Sequence, residues 1–334
     1  VTSPRRRAAD APTTGSPDRS PALDRWFESV FGDAESGRIG SGWLSGVTSV
    51  FLGGIGLLAV TVLWFPEWLT TPRFRSLYPL PVVRLLIQVV IGVGFVTGCL
   101  SLFLRRRKVL GLTGGALSVL AALLGGGGVA LPDAVAAHPT LGLDWFLLNL
   151  FLLALLFVPV ERFFPRLPEQ GPFRSGWTTD GLHFMMSHLL VQVLSFLILL
   201  PAVTASRLWE PKGLAAAVRD LPLWAQFLAA ILVADLAQYA VHRAFHRVPL
   251  LWRFHAVHHS SRDLDWLAGS RLHLLDAVAT RALVLVPLHL LGVAEPALHA
   301  YLVFVSFHAV FIHANVGFSF GVLESLVVTP RFHH

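Results

Sequence analysis

Apolar residues in this chain fall into long unbroken runs separated by short polar, arginine-bearing breaks. Runs long enough to cross about 30 Å of hydrocarbon occupy residues 43–65, 82–104, 109–131, 143–160, 182–203 and 223–241. Each predicts a membrane-spanning helix, because a helix satisfies its own backbone polar groups where no water can. Two further runs, 274–291 and 297–312, are separated by "GVAEP", and the first carries Asp276 and Arg281. That pair reads either as two thin spans or as a re-entrant hairpin. The expected fold class is all-α, a polytopic integral membrane helical bundle.

Composition agrees with the pattern. Hydrophobic residues are 54% of the 334 and charged residues 14%, too few to coat a soluble protein of this size. The net charge of +6 does not point to nucleic acid, because the arginines sit at the ends of apolar runs. If "RRRK" at 105–108 is cytoplasmic, parity places the stretch 132–140, which has no Lys or Arg, outside. Arg162, Arg166, Arg174 and the arginines from Arg243 to Arg271 then fall inside; Arg207, Lys212 and Arg219 dissent. The chain is thus expected in the cytoplasmic membrane with its polar, histidine-rich face inward. Residues 1–41 begin as a Pro-, Ser- and Arg-rich stretch, read as a disordered tail and not as a cleavable signal. "GGGG" at 125–128 lacks the preceding strand and following Lys of a phosphate loop, so it predicts close helix packing.

Fifteen histidines are present, and five of them fall between His242 and His259. "HRAFH" sets His242 and His246 at i and i+4 on one helical face. Pro249 interrupts that helix, and "HAVHH" then predicts His255, His258 and His259 on one face of the next. Five imidazoles aimed at one volume would each need a hydrogen-bond partner or a proton, and protonated neighbours repel. A bound metal removes both costs, and imidazole suits iron, zinc, copper and nickel. The single cysteine, Cys99, lies in an apolar run, which leaves no thiolate site or disulfide framework. Arg243 stands where the HExxH helix of zinc proteases has its water-activating glutamate, which argues against hydrolysis. No Glu-x-x-His pair of the soluble di-iron bundles is present either.

Taken in order, "DLAQYAVHRAFHRVPLLWRFHAVHHSSRDLDWLAGSRLH", "FIHAN" and "LESLVVTPRFHH" resemble the successive histidine boxes of the sterol desaturase/fatty acid hydroxylase family. The similarity runs from about Gly171 to the end. It divides the chain into a tail at 1–41, a transmembrane region of unassigned role at 42–170, and a hydroxylase-like region at 171–334. The resemblance implies two non-haem irons, dioxygen, an external electron donor such as a redox partner protein, and a lipid substrate. It assigns His242 and His246 to the first box and His255, His258 and His259 to the second. His313 matches the isolated histidine before the final box, and His333 the opening of a last HxxHH. Two histidines of that box would lie beyond His334, so weak binding of one iron is expected for the sequence as it stands.

Other residues carry softer expectations. His273 is read as a ligand or as a neighbour of the ligands. Asp235 and Tyr239 are spaced to line the face leading to His242; they are read as catalytic-site residues that orient a ligand, or as polar contacts between helices. His138, His183, His188, His289, His299 and His308 lack clustered spacing and read as packed or interfacial, although His308 lies close enough to His313 to approach a metal. His334 reads as a neighbour of His333, and Trp252 and Trp266 as headgroup-level residues. The expected activity is hydroxylation, with desaturation as the variant outcome. The rival readings are a metal-ion transporter, disfavoured by the purely apolar early spans, and a non-catalytic membrane metal-binding protein.

Overall fold

The computed structural model describes residues 40–70, 79–130, 141–209, 211–325 and 327–333. Almost all of the expected tail, the stretch at 132–140 with His138, and His334 lie outside the described residues. Described residues form helices joined by turns, with a single isolated bridge between Pro165 and Val316.

Three long helices open the structure: α1 (Trp43–Trp64), α2 (Leu80–Leu104) and α3 (Val109–Leu123). Small residues make their seam, at nearly the same spacing on each: Gly46, Ser49 and Gly53 on α1, Gly94, Gly98 and Ser101 on α2, Gly111, Gly114 and Ser118 on α3, all buried. Backbones that approach this closely gain dispersion contact that lipid cannot supply. Two hydroxyls stitch the seam, Ser49 Oγ donating to the Gly94 carbonyl at 2.6 Å and Ser101 Oγ to that of Gly42 at 2.8 Å. Large apolar side chains such as Phe103, Leu112 and Val96 point outward, as lipid contact requires. The tetraglycine follows α3 as a tight turn packed on α2, where a Cβ at Gly127 would run into the Arg84 carbonyl. The close-packing expectation therefore holds.

Next come α4 (Leu143–Phe163), α5 (Trp177–Val193), α6 (Ser195–Leu208) and the short α7 (Lys212–Arg219). The run at 182–203 is not one spanning helix: it breaks at Leu194 (φ −89°, ψ 7°) into parts of α5 and α6. Hydropathy reports how long an apolar stretch is and not whether its helix is continuous, so this break left no mark in the pattern. The rest of the chain supplies α8 (Leu223–Arg247), α9 (Pro249–His255), α10 (Leu274–Leu291), α11 (Glu295–Phe311) and α12 (Pro330–His333). Among the described residues, α1, α2, α4, α8, α10 and the segment Val109–Gly128 are long and apolar enough to cross a membrane. The 274–291 run thus has the length of a span, and α11, at 17 residues, is shorter.

A core built from Phe146, Leu147, Leu153 and Phe157 of α4, Phe184 of α5, and Trp266, Val310, Ala314 and Val316 joins the early and late parts of the chain. Trp266 is buried in this core, whereas Trp252 is 39% exposed. The core positions the loops on either side of His313.

Candidate metal centre

α8 ends where Val248 turns extended (φ −95°, ψ 116°), as a residue before proline prefers. Pro249 then opens α9 at a position that needs no N–H donor. This corner folds α9 back so that His255 meets the last turn of α8. Nε2 of His242 and His246 lie 3.1 Å apart, and Nε2 of His259 lies 3.2 Å from Nε2 of both His246 and His255. Together these form one group of four, His242, His246, His255 and His259, whose candidate ligand atoms lie within 4.8 Å of one another.

His258 does not join them, which corrects the expectation of five imidazoles on one volume. The α-helix stops at His255, and His258–Ser260 is a 3-10 turn. With 3.0 residues per turn, consecutive side chains diverge by about 120°, and His258 turns away from His259. Its Nε2 lies 3.2 Å from that of His313, which is 3.1 Å from Nε2 of His333. His258, His313 and His333 make a second group.

Hydrogen bonds behind the rings fix the protons. His255 Nδ1 donates to Asp276 Oδ2 at 2.7 Å, His258 Nδ1 to the Arg271 carbonyl at 3.3 Å, and His313 Nδ1 to the Ala309 carbonyl at 2.8 Å. Oxygens of this kind only accept, so each ring proton sits on Nδ1 and the Nε2 lone pair faces the group. His258 and His313 thus turn two Nε2 lone pairs on each other at 3.2 Å, a repulsion that a cation between them would relieve. Ligand bonds of about 2.1 Å at tetrahedral or right angles place neighbouring nitrogens about 3.0–3.4 Å apart, and the observed 3.1–3.2 Å fits. Burial, then the neighbouring His259 and His255, lower the His258 imidazole from 6.5 to about 4. Burial, then His255 and His246, lower His259 as well. Both imidazoles are therefore neutral at pH 7.

A further layer was not read from the sequence. Asp276, there only an irregularity in an apolar run, is 3% exposed and also accepts from Thr280 Oγ1 at 3.0 Å. A carboxylate in a largely apolar run was the available signal. Arg271, whose carbonyl holds His258, is itself gripped through Nε by Asp180. Arg174 bridges Asp180 at 2.5 Å and Asp265 at 2.7 Å, and all four residues are buried. Gly269 allows the loop to approach His313, since a Cβ there would come within 2.7 Å of Nδ1.

Several expected site residues stand apart from both groups. His273 begins α10, its Nδ1 accepting from the Leu275 N–H at 3.1 Å and its ring against Phe254. Asp235 is exposed on α8. Tyr239 is 55% exposed and accepts from the Arg243 guanidinium. His308 joins neither group: its Nε2 meets the Val328 carbonyl at 3.0 Å. His183 and His188 bond the carbonyls of Leu272 and Phe184, as packed histidines do.

Comparison with known proteins places this geometry. Residues 227–334, which include every histidine of both groups, match the fatty acid hydroxylase family. An ornithine lipid hydroxylase of Rhizobium tropici is 34% identical over 112 residues, covering 34% of this chain and 34% of that protein. The alkylglycerol monooxygenase of Homo sapiens is 32% identical over 127 residues, 38% of this chain and 27% of that protein. The chain thus spans about a third of the length of these curated relatives. No solved structure matches it.

Proposed function

We propose that this chain, whose residues 227–334 match the fatty acid hydroxylase family, is a membrane non-haem di-iron oxygenase that hydroxylates a lipid with dioxygen and an external electron donor. The observation that carries the reading is the two sets of Nε2 atoms facing one another at 3.1–3.2 Å while Nδ1 atoms behind them are pinned by oxygens. Iron bound in each group would supply the activation of dioxygen that oxidation of an unactivated C–H bond needs. The balance is R–H plus O2, two electrons and two protons, giving R–OH and water.

The chain's own residues do the rest. Asp276 keeps the His255 proton on Nδ1, and the Arg271 and Ala309 carbonyls do the same for His258 and His313. Trp252 flanks His246 and His259, with ring centroids 5.2 and 5.6 Å away. A cleft of about 310 Å³ lined by His246, Arg247, Pro249 and Trp252 opens beside the four-histidine group. Its apolar walls suit an acyl or alkyl chain, and Arg247 offers a cation to a polar headgroup. Relatives named for hydroxylating an ornithine lipid and for monooxygenation of alkylglycerol support a lipid substrate and oxygen insertion. Exposed Arg243, Arg247, Arg253 and Arg262 surround the site, which favours a cytoplasmic face where a redox protein can deliver electrons.

The test is iron analysis of the purified protein, followed by mass spectrometry of membrane lipids with and without the chain under labelled dioxygen. Two irons per chain and a lipid carrying one labelled oxygen are expected. A protein free of iron, or a lipid that has lost two hydrogens and gained no oxygen, would overturn the reading.

A further inference from the structure

Residues 161–170, the last turn of α4 and the start of the connection to α5, lie outside the stretch matched by the hydroxylase family, yet they tie together the loops that carry the second histidine group. Glu161 Oε1 accepts from the backbone N–H of Trp266 at 2.7 Å and of Asn315 at 2.9 Å. The Phe164 carbonyl accepts from Gly317 N–H at 2.8 Å, and Pro165 bridges Val316. Arg166 donates its backbone N–H to the Asn315 carbonyl at 3.3 Å and its guanidinium to the Pro330 carbonyl at 3.2 Å, three residues before His333. Leu167 N–H donates to Asn315 Oδ1 at 2.9 Å, and Asn315 Nδ2 returns a bond to the Leu167 carbonyl at 3.2 Å. Every polar group of Asn315, only 5% exposed and two residues after His313, is thus engaged by this one segment.

The pattern matters because the second group is assembled across long distances in the chain. Its three histidines come from three separate places in the chain, and His313 and His333 stand on a loop and a one-turn helix. Loops of that kind hold a geometry only when their backbone groups are satisfied from outside. A buried carboxyl oxygen accepting two N–H bonds is an anchor, and losing it would leave two poorly hydrated donors without a partner.

We propose that Glu161, Arg166 and Asn315 are positioning residues that set His313 and His333 against His258, so that the region before the matched stretch completes the second metal position. The proposal rests on the reading that this group binds iron. Its test uses the full chain in detergent, loaded with ferrous iron. The readouts are iron per chain, the fraction retained against a weak chelator, and monodispersity. Unaltered protein should hold two irons. Glu161→Leu should hold about one, and Glu161→Gln should return to two, because an amide oxygen still accepts both N–H bonds. Adding His313→Ala to Glu161→Leu should remove no further iron, whereas adding His255→Ala should. Should Glu161→Leu lose its fold, Arg166→Met and Asn315→Ala decide in the same way. Two retained irons in the monodisperse variants, or equal loss from both groups, would overturn the positioning role. Unaltered protein without iron would instead overturn the metal reading beneath it.

Discussion

The two histidine groups are made by different means. The group of four comes from one short window, His242 to His259, and two of its rings, His246 and His259, are exposed. The group of three joins residues 55 and 20 positions apart, with His313 buried. Helical periodicity and one proline corner build the first. The second depends on carbonyls, a buried ion-pair network and a segment from before the matched stretch. Among the described residues, the first group offers four rings and the second three.

That contrast predicts its largest effect in ligand removal. His313→Ala should abolish iron at the three-histidine position, leaving one per chain, while His246→Ala should weaken its own position and retain most of its metal. Equal losses measured by plasma mass spectrometry would erase the distinction. A smaller effect is expected behind the rings: Asp276→Asn should lower iron affinity by roughly 10–100-fold, and only in the group that contains His255. A titration showing both positions weakened would mean the groups act as one unit.

Acid gives a weaker handle on the metal-free protein. The folded chain holds His258 near 4 against an ordinary 6.5, so the unfolded chain takes up a proton that the folded chain refuses. The stability tied to neutral His258 is complete above 6.5 and is lost as pH falls through about 4. Thermal melts of the metal-free protein should drop over that window, and less steeply for His258→Gln; parallel curves would show that His258 carries no such linkage. The smallest effect belongs to His273→Ala, which should leave both irons in place and cost about 1 kcal/mol through the lost cap of α10. A fall in iron content would instead return His273 to the ligands.

Legibility followed the same divide. Long apolar runs and the i, i+4 pair at His242 and His246 depend on local spacing, which is why the α-helical membrane fold and most of the four-histidine group could be read directly. The separation of His258 from His259 could not, because it depends on where α9 ends, and helix ends are set by competition among caps, turns and packing. Asp276 was visible as a charge in an apolar run, but its partner His255 is 21 residues away. Glu161 and Asn315 meet across 154 positions and follow no spacing rule. The kink at Leu194 has no proline or glycine to announce it.

Because His258 and His259 are consecutive yet serve different groups, a single peptide unit joins the two histidine groups. Their Cα atoms are fixed at about 3.8 Å, so the tie between the two groups is covalent and not an adjustable loop. Length variation should therefore be forbidden at this junction: a glycine inserted between His258 and His259 would carry one ring out of reach of its partners. The same insertion at the exposed Gly321–Val322 turn should be absorbed. Chains built on this plan should accordingly vary in length around the junction, and never within it.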